Sequence, residues 1–279
     1  MILWLASYPK SGNTFLRSLL ASYFYTKDGN FNFDLLKKIK QFPVNENFSQ
    51  IGIDIKNKYL VAENYIKAQE EINKSKKLTF LKTHSSFCKM FNKFNFSNLK
   101  NSLGVIYIVR DPRNVVISFA RHNSQSIETT SELLITDLAT GNEKNEVEVY
   151  LGSWNFNYNS WKVYQNSKKY LLIKYEDLVN NTQKTFTEIL KFINNISKIN
   201  SEIDIKKIKK IVKETTFSRM KHLENEYGFV EAKINDNTGQ MVKFFNQGPE
   251  NDWKNILNDE IKKKIEFKFQ QEMKELGYL

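Results

Sequence analysis

The opening residues restrict the fold of this chain more than any other stretch. Ile2-Leu3-Trp4-Leu5-Ala6 is a continuous apolar run of strand length, and Phe15, Leu16, Leu19, Leu20, Tyr23 and Phe24 then recur as one face of an amphipathic helix. Tyr8-Pro9-Lys10-Ser11-Gly12-Asn13-Thr14 joins the two. Such a junction aims free backbone N–H groups and the positive end of the helix dipole at one spot, which stabilises an anion there. Lys10, Ser11, Asn13 and Thr14 add side-chain donors, and Gly12 lets the backbone approach an oxygen closely. The segment reads as a phosphate-binding turn, with an ordinary capped turn as the plainer alternative.

A Walker loop places its lysine after the second glycine, yet no glycine here is followed by lysine. Three further strand-like runs end in polar residues. Gly104 to Val109 closes on Arg110, after which Asp111-Pro112 supplies an N-cap and a first-turn proline for a helix bearing Val115, Val116, Ile117 and Phe119. Ser118 lies on that helix. For Arg110, a structural ion pair with Asp111 or another neighbour is the competing reading. Leu78 to His84 ends in Lys82-Thr83-His84, and Tyr170 to Lys174 ends in Tyr175-Glu176-Asp177. A neutral imidazole can accept a proton near pH 7, but a histidine at a strand end, taken alone, is more often a surface or hydrogen-bonded structural residue than a catalyst, and both readings of His84 stay open at this point. His122 and His222 lie in helical patterns and read as structural.

The order Y-P-K-S-G-x-T, K-x-H, R…S and Y-E-D resembles the sulfotransferase family that uses 3′-phosphoadenosine 5′-phosphosulfate (PAPS) and releases adenosine 3′,5′-bisphosphate (PAP). The likeness extends from Tyr8 to Trp253. It implies an α/β, three-layer P-loop-like fold with a mainly parallel central sheet flanked by helices, forming a single sulfotransferase domain over residues 1–279. It implies that the loop Lys10, Ser11, Gly12, Asn13, Thr14 holds the 5′-phosphosulfate and that Arg110 and Ser118 hold the 3′-phosphate. Phe15 and Phe217 would enclose the adenine, with Tyr175 and Thr216 on the nucleotide. His84 would be the base and Lys10 the charge stabiliser, modulated by Lys82 or Ser118, without a metal. The family's R-K-G-x-x-G-D-W is replaced by Asn246-Gln247-Gly248-Pro249-Glu250-Asn251-Asp252-Trp253, so amides stand where two cations would, and Lys243 is a candidate substitute.

At 279 residues and 41% apolar content the chain can bury a full core, and no Pro/Gly/Ser-rich linker divides it. A lone Cys88 excludes an intrachain disulfide and fits a reducing, cytoplasmic setting; no leader or membrane span is expected. The net charge of +11 comes partly from lysines at 206–210 and 262–264. These alternate with isoleucines as solvated helix faces do, so nucleic acid is not the expected partner. The expected partner is a small-molecule, glycan or lipid acceptor bearing a hydroxyl or amine, contacted by the stretches 42–65, 123–145 and 224–237. A P-loop-like kinase and a basic binding protein are the rival readings.

Overall fold

The computed structural model describes residues 1–137, 140–141, 146–199, 201–235, 238–248 and 251–279. Four strands, β1 (Ile2–Ser7), β2 (Thr79–Thr83), β3 (Ser102–Val109) and β4 (Tyr170–Lys174), form one sheet in the order β2-β1-β3-β4. All three pairings are parallel. Side-chain alternation sends Trp4, Ala6, Val105 and Tyr107 into one apolar cluster and Leu3, Leu5, Ile106 and Ile108 into another on the opposite face. Both faces are therefore core, which is why the strands read as unbroken apolar runs.

Helices cover each face. Against the Leu3 side packs α1 (Asn13–Tyr25), through Leu16, Leu19 and Leu20. The helix after β3, α2 (Pro112–His122), lies on the Trp4 side through Val115 and Val116, and the short α3 (Tyr175–Asn180) follows β4. α4 (Thr182–Ser197) and α5 (Ile205–Glu214) complete the Leu3 side with Phe186, Ile189, Ile208 and Ile211. α6 (Phe217–Tyr227) precedes a two-residue hairpin, β5 (Lys233–Ile234) with β6 (Met241–Val242), and α7 (Asp259–Lys268) adds Ile261 and Ile265 to the Trp4 side. The result is the expected three-layer α/β arrangement with a parallel sheet.

Ile208, Ile211, Ile261 and Ile265 are buried between the lysines of the two runs, so most of those lysines lie on outer helix faces, whereas Lys207 turns in to donate to the Tyr23 and Thr26 carbonyls. β3 begins two residues before its apolar run because the Ser102 hydroxyl accepts from Trp4 Nε1 at 2.8 Å, which satisfies a polar side chain inside the sheet. Asp111 caps α2 as expected, accepting from the Arg113 N–H at 2.9 Å, with Pro112 in the first turn. The ends of β1, β2, β3 and β4 bring Lys10, His84, Arg110 and Tyr175 to one edge of the sheet, the edge at which open α/β sheets bind ligands.

Candidate active site

The turn after β1 is built from left-handed backbone, with φ of 62° at Lys10 and 101° at Gly12. Gly12 is required twice over. A β-carbon there would sit 2.4 Å from the Tyr175 ring, and the positive φ disfavours any side chain. Because a glycine precedes α1, no side chain caps the helix start. The Arg110 guanidinium lies 4.3 Å from the centre of the Tyr175 ring and donates to the Lys10 carbonyl at 3.0 Å. Turn, Tyr175 and Arg110 thus form one stack across the ends of β1, β4 and β3.

Asp111 does not neutralise Arg110. It pairs with Arg113 at 2.7 Å, and Arg113 also holds Glu266 and lies over Trp253 at 3.9 Å. Among the described residues Arg110 has no carboxylate partner, and its Nε is buried without an acceptor. Ser118, two turns into α2, makes no hydrogen bond among them, and the buried Ser11 hydroxyl is likewise unpartnered. These groups leave donors and positive charge unspent around the turn.

His84 lies just past β2 with Nδ1 2.8 Å from the Ser7 carbonyl and 3.3 Å from the Ser7 hydroxyl. A carbonyl only accepts, so Nδ1 carries the proton and Nε2 keeps its lone pair. Burial, and then the Lys82 charge, push the imidazole down to about 3, so it is neutral at physiological pH. Asn13, expected to face the anion, instead spends its amide on the Leu5 carbonyl at 2.9 Å and the Ser7 hydroxyl at 3.2 Å. It ties the turn to β1 and to the residue that holds His84.

Lys10 sits over the Phe244 ring at 3.6 Å. Burial pushes its ammonium down to about 7, Glu231 opposes this, and Lys82, Arg110 and Lys233 add to it. A negative charge bound at the turn would favour the protonated form. Binding of PAP is therefore expected to take up a proton above about pH 7 and to weaken as pH rises further, since free Lys10 is then neutral. Calorimetry in buffers of different ionisation enthalpy measures this uptake directly; a proton release would contradict it.

Glu231 and Arg17 are the residues that sequence reasoning missed. The Glu231 carboxylate accepts from Thr14 Oγ1 at 2.9 Å and from Arg17 at 2.6 Å, and lies 3.5 Å from Lys82 Nζ. A single charged residue three positions after Thr14 on an otherwise uncharged helix was a signal for Arg17, whereas Glu231 belongs to no motif. His122, read as structural, ends α2 edge-on to Phe244 at 5.7 Å, with Nδ1 buried and unpartnered. Burial and then Lys10 and Lys233 push it down to about 3, which puts it in the Lys10 environment.

The remaining candidates lie on the adjoining side. Phe15 packs against the cluster beneath α1, and Phe217 against Met220, Phe229 and Phe245, so the two rings belong to separate clusters. Thr216 caps α6 by accepting from the Arg219 N–H. Gly248 has φ of 53°, and a β-carbon there would meet the Phe217 ring at 2.4 Å. Asn246 is exposed and its carbonyl accepts from Lys221 at 3.2 Å, while Gln247 Oε1 is buried without a donor. Lys243 is turned to Asn225 at 2.5 Å, so Lys221 is the cation held against the altered motif. Pro249 and Glu250 lie outside the described residues, as do 138–139, 142–145 and 236–237 of the expected acceptor stretches. Asn251 and Trp253 dock on α2 through Asn114, each at 2.9 Å. A cleft of about 250 Å³, lined by Arg17, Leu36, Ile39, Val44 and Glu231 among others, opens beside this site.

Among the described residues no helix is long and apolar enough to cross a membrane, and no group of three or more His, Cys, Asp or Glu side chains is placed to hold a metal ion. The parallel sheet with a glycine-containing turn between β1 and α1 at its strand ends defines an α/β class. Within it, the fold is shared with mouse sulfotransferase SULT7A1 solved with PAP (TM-score 0.61, 20% identity, 97% of this chain and 83% of that one). Retinol dehydratase in complex with retinol and PAP shares it as well (TM-score 0.60, 15% identity, 98% and 81%). Bovine sulfotransferase 1E1 is 23% identical over 281 residues, taking in 97% of this chain and 82% of that protein. Residues 2–277 match the sulfotransferase domain, and the chain belongs to the sulfotransferase family.

Proposed function

We propose that the protein transfers the sulfuryl group of PAPS to a hydroxyl or amine of a small-molecule, glycan or lipid acceptor. The observation that carries this reading is the Arg110 guanidinium, without a carboxylate among the described residues, stacked beside the Gly12 turn and next to Lys10. A ligand with two separate phosphate groups uses both features. His84 takes the acceptor proton on Nε2 as the acceptor oxygen bonds to sulfur, while the bond from sulfur to the 5′-phosphate oxygen breaks and PAP leaves. Lys10 faces the charge that develops on that oxygen, with Lys82 and Ser118 assisting. Ser11 and the α1 N-terminus, including the Thr14 backbone N–H, bind the 5′ end, the Thr14 hydroxyl being spent on Glu231 rather than on the anion as expected; Tyr175, Phe15, Phe217 and Thr216 bound the nucleoside; Asn246, Gln247 and Gly248 close the 3′ side. The cleft beside Glu231 offers room for part of an acceptor, and retinol dehydratase, which shares the fold, was solved with retinol, which supports an apolar alcohol as the acceptor. A cytoplasmic setting belongs to the same proposal.

Incubation with PAPS carrying labelled sulfur and a panel of alcohols, amines, glycans and lipids, in excess chelator, tests the reaction. Labelled product is expected, with a larger rise in melting temperature from PAP than from ATP-Mg²⁺; the reverse order without product would point to phosphoryl transfer instead. Arg110→Ala is expected to weaken PAP binding by about 1.5–3 kcal/mol, as for a lost charged hydrogen-bonding group, and Ser118→Ala by about 0.5–1.5 kcal/mol. Neither should affect adenosine 5′-phosphate as much. Equal losses for both nucleotides would remove these residues from the 3′-phosphate.

A further inference from the structure

Glu231 lies in the connection between α6 and β5, outside every motif of the chain, yet its carboxylate touches two elements of the site. It accepts from Thr14 at the start of α1, pairs with Arg17 one turn later, and faces Lys82 at the end of β2. Arg17 is itself immobilised, since its other terminal nitrogen donates to the carbonyls of Leu36 at 3.0 Å and Ile39 at 3.2 Å. Lys82 is 8% exposed, and Glu231 is the partner of its ammonium among the described residues. We propose that Glu231 is a positioning residue of the transfer site: anchored on Arg17, its carboxylate fixes the Lys82 ammonium and the Thr14 hydroxyl beside Lys10. This rests on the reading of Lys10 and Lys82 as the cations that face the transferred group.

The charges around the pair give the inference a signature that simple structural support lacks. The cations facing one another are Lys10, Lys82, Arg17, Arg110 and Lys233, and the imidazoles of His84 and His122 complete the surroundings. Among the described residues, Glu231 is the carboxylate whose charge acts on Lys10, Lys82, His84 and His122. Burial favours the neutral form of both Lys10 and Lys82, and Glu231 opposes it at each. Without that carboxylate, both ammonium groups lose their protons at lower pH. A neutral amine no longer attracts a phosphate, so the loss of nucleotide affinity on the alkaline side begins earlier.

The dissociation constant of PAP measured by calorimetry between about pH 6 and about pH 9, for the native protein, Glu231→Gln and Glu231→Asp, tests this without requiring turnover. Each curve is scaled to its own acid plateau, and melting curves establish that each variant is folded. The midpoint of the alkaline loss is expected to move down by about one pH unit in Glu231→Gln, a roughly tenfold relative weakening on the alkaline limb. Glu231→Asp, whose carboxylate stops one methylene short of Lys82, is expected to move it in the same direction by less. A purely structural role would change the melting temperature and the plateau and leave the midpoint in place. Superposition of either folded variant's scaled curve on the native one, or a native curve without alkaline loss, overturns the assignment. Native protein that binds PAP and moves no sulfate would instead overturn the transfer reading while the midpoints still decide the role of Glu231.

Discussion

His84→Ala is expected to lower turnover by about 10²–10⁴-fold, the range of a positioned general base, while PAP affinity stays within about twofold of native. The expectation follows from the Ser7 carbonyl at 2.8 Å, which commits Nδ1 to donating and leaves Nε2 to accept. His84→Asn separates basicity from support. An asparagine amide can still donate to that carbonyl but cannot take a proton, so it should be about as slow as alanine. Because Lys82 helps to push the imidazole down, a bound phosphosulfate that offsets the Lys82 charge makes His84 a stronger base once the donor is in place. Near-native turnover in either variant would remove His84 as the base.

Lys10→Met is expected to cost about 10²–10³-fold in turnover, the usual loss for one group removed from a developing oxyanion. It should also leave the fold as stable as before or more so at neutral pH. The folded ammonium is held down to about 7 from 10.5, chiefly by burial. A lysine with a depressed folded pKa destabilises the fold fully below that value, and the penalty fades as pH rises towards 10.5. Any gain in melting temperature from Lys10→Met should therefore be largest below about pH 7 and shrink as the pH rises towards 10.5. A lower melting temperature at pH 7 together with normal turnover would show that Lys10 is structural. A functional group that costs stability where it is needed is the usual trade at an active site.

How far the chain could be read without coordinates depended on the range of the interaction involved. The strand runs, the turn at Lys10 to Thr14 and the Asp111-Pro112 cap are set by contacts between near neighbours, and they appeared at the expected positions. The parallel sheet followed from the unbroken apolar strands, because only a sheet covered on both faces can bury Leu3 and Trp4 alike. Asn13 was misjudged as an anion donor because its residue type and place in the turn say nothing of the Ser7 hydroxyl and Leu5 carbonyl that claim its amide.

Motif spacing could likewise suggest Arg110 for a phosphate but could not separate it from an ion pair with Asp111. Tertiary structure removes the Asp111 pair, since Arg113 takes Asp111 and Tyr175 takes the face of Arg110, and leaves the phosphate role as a proposal. His122 and Glu231 are later cases of the same limit. They lie 112 and 221 residues from Lys10 in sequence, and their shared environment exists only after α2 and the connection to β5 have folded over the turn. The sequence by itself determined which residues could bind an anion and where the strands would end, since both depend on local chemistry and periodicity. Only the tertiary structure decided which charges remain unpaired and which are held by Glu231, because pairing depends on distances of a few ångströms between segments far apart along the chain.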